Sequence, residues 1–126
     1  MSILVDTSVW VEYFRRGNNC EKLDFLIDEN LVVTNDLILA ELVPFLRVRK
    51  EKKLVQLLYN INRFHFSIKW EQIIEFQTKC LKNGINGVGI PDLIIAQNVK
   101  QNKSKIYSLD NHFRLMEPIL KIQLFA

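Results

Sequence analysis

Short apolar segments, each followed by a carboxylate or a helix-capping residue, constrain the fold of this chain more than any other feature. One such segment runs from Ile3 to Val5 and leads into Asp6, and another covers residues 31–33 and leads into Asn35. Short apolar or β-branched runs of this kind are typical of buried strands, and a capping residue after them predicts the start of a helix. The pattern therefore predicts strands that alternate with helices.

The alternation continues along the whole chain. Thr7 or Ser8 is expected to cap the first helix, Gly17 and the Asn residues after it should end that helix, and Pro44 should kink or end the third helix. Helices between strands favour an α/β fold with a mainly parallel central sheet of four to five strands and helices on both faces. Strands are predicted at residues 2–5, 31–33, 64–67, 106–109 and 121–125, and helices at 9–14, 21–28, 37–43, 51–61, 69–83 and 91–99.

Length and composition are those of one globular domain over residues 1–126. Hydrophobic residues make up 48% and charged residues 25%, which argues against disorder or a fibrous repeat. No stretch approaches the ~20 apolar residues that a membrane-spanning helix needs, so no membrane role is expected. Cys20 and Cys80 have no neighbouring Cys or His at metal-ligand spacing, which favours reduced thiols and a cytoplasmic location.

The net charge of +3, from 17 Lys and Arg against 14 Asp and Glu, is too small to indicate nucleic-acid binding by itself. If several acids share one pocket, however, the remaining surface is more basic than the total suggests. Each basic residue has the alternative of an ordinary solvated surface position. The candidates for binding a polyanion are Arg15, Arg16, Arg47, Arg49, Lys50, Lys52, Lys53, Lys100, Lys103 and Lys105.

Four acids, Asp6, Glu41, Asp92 and Asp110, follow comparable apolar stretches. An alternating fold brings the ends of its strands and the starts of its helices to one edge of the sheet, where ligands and hard cations bind. Clustered carboxylates repel one another unless a cation neutralises them or some become protonated. Oxygen ligands favour Mg²⁺ or Mn²⁺, and such ions support phosphodiester hydrolysis.

In order and spacing, the segments around these acids resemble the four acidic motifs of PIN-domain ribonucleases. Size and motif wording are most similar to the VapC toxins of bacterial and archaeal toxin–antitoxin pairs. Each motif alone is weak, but four in order over nearly the whole chain are fairly specific. The segments are Asp6-Thr7-Ser8, Leu39-Ala40-Glu41-Leu42, Asp92-Leu93-Ile94-Ile95-Ala96 and Ser108-Leu109-Asp110-Asn111-His112-Phe113.

This resemblance implies a metal-dependent endoribonuclease that cuts cellular RNA. It implies that Asp6, Glu41, Asp92 and Asp110 serve in catalysis and hold Mg²⁺ or Mn²⁺, directly or through water, and that Ser8 hydrogen-bonds within the carboxylate cluster. It also implies a cognate antitoxin that blocks the pocket and represses the shared operon. We further expect a homodimer.

One departure from the family pattern follows the fourth motif. Relatives often carry a further acidic residue there, where this chain has Asn111 and His112, and this puts a second metal site in question. Asn111 still offers an oxygen as a supporting residue, and His112 is a candidate for contact with the substrate. The predicted RNA contacts are Arg15, Arg47, Arg49, Lys50 and His112.

Each acid also has a purely structural interpretation. Asp6 could serve as a helix cap, Asp92 could favour the positive end of a helix dipole, Glu41 could be a solvated helix residue, and Asp110 could be a turn acid. Three acids without motif context, Asp24, Asp28 and Asp36, are assigned to capping or surface roles.

Other functions remain open at this point. The chain could be an RNA-processing PIN nuclease without a toxin role, or a non-catalytic RNA-binding module that uses its basic surface. A phosphoacceptor signalling domain also places acids at the edge of a parallel sheet. This chain fits that class poorly, because it lacks an adjacent acidic pair after the first strand and a Lys after the last motif strand.

Overall fold

The computed structural model describes residues 1–15 and 20–126, and the strands in this part of the chain form one parallel sheet. The five strands are β1 (Ile3–Val5), β2 (Val32–Thr34), β3 (Asn62–Arg63), β4 (Lys105–Tyr107) and β5 (Gln123–Leu124). The α helices are α1 (Thr7–Phe14), α2 (Cys20–Asp28), α3 (Asp36–Val48), α4 (Lys52–Tyr59), α5 (Trp70–Lys82), α6 (Ile90–Gln101) and α7 (Asn111–Met116). A π-helical turn, Glu117–Lys121, separates α7 from β5.

The order of the strands in the sheet is β3-β2-β1-β4-β5, and every neighbouring pair is parallel. Strand β1 lies at the centre, where Leu4 is opposite Val33 on one side and Ile106 on the other. The chain moves outward from β1 to β3 and then returns to the opposite side of β1. Because parallel connections are right-handed, this reversal places helices on both faces of the sheet and opens a crevice at the carboxyl ends of β1 and β4. The predicted fold class is confirmed.

The core lies around β1, β4 and α6. The three residues of β1 are fully buried, and Trp10 of α1 is also fully buried with its ring stacked on Phe14 at 5.7 Å. In α6, every side chain from Leu93 to Val99 is buried, which is typical of a helix enclosed on all sides. Apolar residues of α4 also pack inward, with Leu58 buried and Leu54 and Leu57 half-buried.

A buried amide network connects β2, α6 and the segment after β3. The side chain of Asn35 caps α3 by accepting a 2.9 Å hydrogen bond from the backbone N–H of Ile38. Its amide donates to Oδ1 of Asn98 at 2.9 Å, and the amide of Asn98 donates to the carbonyl of His65 at 3.1 Å. Both Asn side chains are almost completely buried, so each hydrogen bond replaces one that water would otherwise supply.

The structure differs from the prediction in three elements. Helix α7 (Asn111–Met116) was not predicted. The strand predicted at residues 64–67 lies two residues earlier, because β3 pairs through Asn62 and Arg63 with the end of β2. Pro44 does not end its helix, and α3 continues to Val48 with Pro44 inside it. The predicted stop of the first helix at Gly17 and the candidate Arg16 lie outside the described residues.

In the described part of the chain, no helix has both the length and the apolar character that crossing a bilayer requires.

Candidate metal centre

Asp6 lies at the carboxyl end of β1 and is 94% buried, with 6% of its surface exposed. Its backbone N–H donates to the carbonyl of Tyr107 at 2.9 Å, which extends the pairing of β1 with β4 by one step. The hydroxyls of Ser8 and Ser108 both donate to Oδ2 of Asp6, at 2.8 and 2.9 Å. Asp6 occupies the N-cap position of α1, but its side chain makes no capping hydrogen bond. The interpretation of Asp6 as a helix cap alone is therefore wrong.

The predicted capping role of Thr7 or Ser8 is also wrong, because α1 begins at Thr7 and both hydroxyls bind carboxylates instead. Ser8 binds Asp6 as described, and Thr7 donates a 2.8 Å hydrogen bond through Oγ1 to Oε1 of Glu41. Glu41 is exposed on α3, one to two turns after the Asn35 cap. The contact with Thr7 connects it to the end of β1, as expected if it belongs to the cluster.

Asp92 is the third residue of α6 and is the electrostatic centre of the cluster. Desolvation by burial, followed by the charges of Asp110, Asp6 and Glu41, raises the pKa of Asp92 from 3.8 to about 6, although His112 acts in the opposite direction. The N-terminus of a helix lowers the pKa of a nearby acid, so burial and carboxylate repulsion outweigh the helix dipole here. Asp92 therefore does more than complement a helix dipole.

Asp110 lies between β4 and α7, and its side chain caps α7. Its Oδ1 atom accepts a 2.9 Å hydrogen bond from the backbone N–H of His112. The imidazole of His112 turns back toward the same group, with Nδ1 3.5 Å from Oδ1 of Asp110 and 4.0 Å from Oδ2 of Asp92. The interpretation of Asp110 as a turn acid is thus correct but incomplete. The same carboxylate that caps α7 also lies in the cluster.

These residues fit a divalent cation. Ligand atoms from Asp92, Asp110 and His112 all lie within 4.8 Å of one another. Asp6 and Glu41 are outside that group of three, but both are close enough for their charges to raise the pKa of Asp92. A cation would remove the repulsion that this arrangement creates. The structure thus brings the four predicted acids together and adds His112 to them.

The other predicted residues are distributed differently. Arg47 and Lys50 line a groove of about 560 Å³ together with Lys52 and Tyr59, and Arg47 donates to the Tyr59 hydroxyl at 2.7 Å. Arg49 does not line this groove, because its guanidinium lies 4.4 Å from the centre of the Phe45 ring.

Two predicted residues lie at helix ends. Arg15 is exposed at the end of α1, away from the residues that line the groove. Asn111 is exposed at the first position of α7, and it makes no side-chain hydrogen bond within the described residues.

Three residues near the cluster were not assigned to it from the sequence. Ser108 and Thr7 hydrogen-bond to carboxylates, and Gly87 lies beside the imidazole of His112. The parallel pairing of Val5 with Tyr107 places residues 6 and 108 side by side, but this register is visible only in the structure. Gly87 belongs to a segment before α6 that contains Gly84, Gly87 and Gly89, but nothing in the sequence indicates which side chain it lies beside.

Comparison with known proteins relates this fold to one family. Residues 3–117 match the family model described as the PIN domain. No curated protein matches the chain in sequence.

Solved structures match over almost the whole chain. The crystal structure of VapBC2 from Rickettsia felis, bound to a DNA fragment from their promoter, has a TM-score of 0.76 at 20% identity and covers 99% of this chain and 98% of that chain. DNA-bound VapBC from Salmonella typhimurium has a TM-score of 0.75 at 14% identity, with 99% and 97% covered. FitAcB from Neisseria gonorrhoeae has a TM-score of 0.70 at 22% identity, with 98% and 96% covered. At these identities the likeness is one of fold.

Proposed function

The chain belongs to the PIN domain family, and we propose that it is an endoribonuclease that depends on Mg²⁺ or Mn²⁺ and acts as the toxin of a toxin–antitoxin pair. The observation that carries the proposal is the convergence of Asp6, Glu41 and Asp110 on Asp92. Burial of Asp92, together with the charges of these acids, raises its pKa to about 6. A site built from mutually repelling carboxylates is stabilised by a divalent cation. A single nuclease domain over residues 1–126 is part of this proposal.

In this proposal Asp92 and Asp110 hold the cation, and Asp6 and Glu41 complete its acidic surroundings. When bound, the cation supplies a more acidic water and neutralises charge on the scissile phosphodiester. Ser8 and Ser108 fix one oxygen of Asp6, so the orientation of that carboxylate is set before substrate arrives. Thr7 does the same for Glu41 from the first turn of α1.

An RNA substrate is supported by the basic surface outside the cluster. The groove that contains Arg47, Lys50 and Lys52 also exposes the ring of Tyr59, and a cationic surface with an aromatic side chain suits a polyanion with stacked bases. Arg63 reinforces it, with its guanidinium 5.4 Å from the centre of the Tyr59 ring. We propose this groove, with Arg15, Arg49 and His112 as further candidates, as the RNA-contacting surface.

A protein partner is supported by the relatives in which the fold recurs. Two of the similar structures are DNA-bound VapBC assemblies, and the third is FitAcB. We propose that this chain likewise pairs with a cognate antitoxin in the cytoplasm. We also propose that it forms a homodimer.

Cleavage of a mixed cellular RNA pool tests the nuclease proposal. Purified protein is incubated with Mg²⁺, with Mn²⁺ or with chelator, beside Asp6→Asn and Asp28→Asn variants. Asp28 is a suitable control because it is an exposed acid at the end of α2. We expect cuts at a few sites that require metal and Asp6 but not Asp28. Metal-independent cutting, or equal cutting by the two variants, would contradict the proposal.

Growth of a bacterial host tests the toxin role separately. Induced expression of the wild-type chain should arrest growth, whereas Asp6→Asn expressed at the same level should not. RNA cleavage in vitro without growth arrest would favour the RNA-processing nuclease. Binding of RNA without cleavage would favour the non-catalytic module.

A further inference from the structure

We infer that His112 supplies a nitrogen ligand to the cation, so the centre has mixed nitrogen and oxygen ligands and favours Mn²⁺ over Mg²⁺. The inference rests on the proposed function, because it takes a cation site at the carboxylate cluster as its premise. It concerns one side chain, in the segment after the fourth motif where relatives often carry a further acid and this chain has Asn111 and His112.

The distances support ligation by His112. Nδ1 lies 3.5 Å from Oδ1 of Asp110 and 4.0 Å from Oδ2 of Asp92, and one ligand atom from each residue falls within a 4.8 Å group. Neighbouring ligands of a six-coordinate ion at about 2.1 Å are roughly 3 Å apart, so a modest contraction around an ion brings all three atoms to bonding distance.

The surroundings of His112 orient its ring toward the carboxylates. The backbone N–H of His112 is held by Oδ1 of Asp110 at 2.9 Å, which fixes the first turn of α7. On the other side of the ring, Nε2 lies 3.8 Å from the position that a Cβ atom on Gly87 would occupy. Nδ1 therefore faces the acids and Nε2 faces the glycine loop. The ring already faces the carboxylates in the absence of an ion, so ligation requires little reorientation of the imidazole.

The chemistry of the donor set gives the metal preference. Mg²⁺ binds through carboxylates, phosphate oxygens and water. Mn²⁺ shares this preference for oxygen, but it is a first-row transition ion at the start of the series in which affinity for sites with nitrogen ligands increases, so an imidazole favours it over Mg²⁺. The sequence predicted a site with oxygen ligands alone, which does not discriminate in favour of Mn²⁺. Replacing one oxygen ligand with a neutral nitrogen weakens the attraction for Mg²⁺ more than for Mn²⁺. The alternative role for His112 is a cationic one, in which the imidazolium pairs with Asp92 and Asp110 and is displaced when metal binds.

Pulsed electron paramagnetic resonance of the Mn²⁺-loaded protein separates these roles, because a directly bound nitrogen modulates the electron spin echo. The chain contains two histidines, so His65→Gln is a matched control for His112→Gln. His65 is exposed in the segment between β3 and α5 and is not one of the three grouped ligands. We expect nitrogen modulation in wild type and in His65→Gln, and its loss in His112→Gln. Labelling histidine with ¹⁵N should change the wild-type modulation without any substitution.

Binding titrations with Mn²⁺ and Mg²⁺ alone provide the second measurement. His112→Gln should weaken Mn²⁺ binding by about tenfold or more and Mg²⁺ binding by much less, since losing an imidazole ligand costs at least as much as losing an outer-shell partner. Mn²⁺ bound without nitrogen modulation would overturn the inference and leave the proposed nuclease site intact. No Mn²⁺ binding, or binding that survives Asp92→Asn unchanged, would overturn both.

Discussion

The hydroxyl of Ser108 donates a 2.9 Å hydrogen bond to Oδ2 of Asp6 across the neighbouring parallel strands β1 and β4. The same hydroxyl accepts a 3.0 Å hydrogen bond from the backbone N–H of Asp110. Ser8 mirrors this arrangement, donating to Asp6 and accepting from the backbone N–H of Leu109 at 3.0 Å. Two serines thus connect the first and fourth acidic segments.

Ser108→Ala should therefore lower both stability and metal affinity. The substitution removes a donor from a buried carboxylate and an acceptor from the backbone N–H of Asp110, at a cost of about 1–3 kcal/mol in unfolding free energy. Ser104→Ala is the control, because the buried hydroxyl of Ser104 donates to the carbonyl of Ser2, at the other end of β4. Urea unfolding and Mn²⁺ titration should show a stability loss in both variants but weaker binding in Ser108→Ala alone.

Asp92→Asn should stabilise the metal-free protein while abolishing cleavage. The pKa of Asp92 is about 6 in the folded state against 3.8 ordinarily, so the folded state binds this proton more tightly than the unfolded state does. The contribution of Asp92 to stability is then fully present below about pH 4 and is lost as the pH rises through 6. When solvent screening is taken into account, removing the charge of Asp92 should raise the unfolding free energy by about 1–2 kcal/mol at neutral pH. The lost interaction with the helix dipole should lower it by about 0.5 kcal/mol.

Thermal melting between pH 4 and pH 8 in chelator checks this expectation. The wild-type Tm should fall across the interval more steeply than that of Asp92→Asn, and Asp28→Asn should follow the wild type. Added Mn²⁺ should raise the wild-type Tm and leave Asp92→Asn nearly unchanged. A Tm of Asp92→Asn below that of wild type at pH 7 would argue against a shared carboxylate pocket.

Thr7→Val should slow cleavage without unfolding the protein. Valine keeps the shape of threonine but removes the 2.8 Å hydrogen bond to Glu41, an exposed side chain that then adopts several rotamers. The orientation loss should reduce kcat/KM by about tenfold, equivalent to the ~1.4 kcal/mol of one modest hydrogen bond. Thr7→Ser keeps the hydroxyl and should retain most of the activity. Equal rates for Thr7→Val and wild type would mean that the hydrogen bond from Thr7 to Glu41 has no role in catalysis.

Asn98→Ala should be the most destabilising of these variants. It leaves the amide of Asn35 and the carbonyl of His65 without their protein partner in a buried network, at a cost of about 2–4 kcal/mol. Asn102 is the matched control, because its amide caps the end of the same helix from an exposed position, by donating to the carbonyl of Asn98. Urea unfolding should show that Asn102→Ala lowers the unfolding free energy by less than about 1 kcal/mol.

Gly87→Ala and Gly84→Ala should destabilise the protein by similar amounts. Both glycines have positive φ, +79° and +74°, which costs an alanine about 1–2 kcal/mol. A Cβ at Gly84 meets nothing within 4 Å, and one at Gly87 reaches Nε2 of His112 at an ordinary contact distance of 3.8 Å. Alanine at position 87 should therefore leave Mn²⁺ affinity close to wild type. A large loss of affinity in Gly87→Ala alone would mean that the imidazole has to move toward the loop when metal binds.

Much of the fold could be predicted from the sequence because buried strands and helices have recognisable local patterns of apolar residues. The run from Ile3 to Val5 is fully buried in the central strand, and its composition indicates that position directly. Strand β3 could not be predicted in this way, because it consists of two exposed polar residues at the sheet edge, paired only through backbone atoms. The alternating apolar residues Phe64 and Phe66 next to it pack against the core outside the strand, although the backbone N–H of Phe64 still donates to the carbonyl of Thr34 at 2.8 Å.

In the candidate site, too, some residues could be predicted from the sequence and others could not. Asp6, Asp92 and Asp110 lie at strand ends or a helix start, where spacing points to them, but Glu41 lies inside α3 and was included because the four segments resemble the PIN motifs in order. The role of Ser108 depends on the register between β1 and β4, which no local pattern specifies. The approach of the His112 ring to Asp92 and Asp110 depends on side-chain direction at the start of a six-residue helix. Such geometry is a property of the packed molecule.

The pairing of β1 with β4 has a consequence for the newly made protein. Asp6 and Ser108 are 102 positions apart, and they meet only when strands from near the two ends of the chain come together. While the ribosome is still translating the middle of the chain, Asp6 has neither Ser108 nor Asp110 beside it. The carboxylate cluster therefore cannot assemble until Asp110 has been synthesised, and a nascent chain that has not yet reached this residue carries no assembled centre.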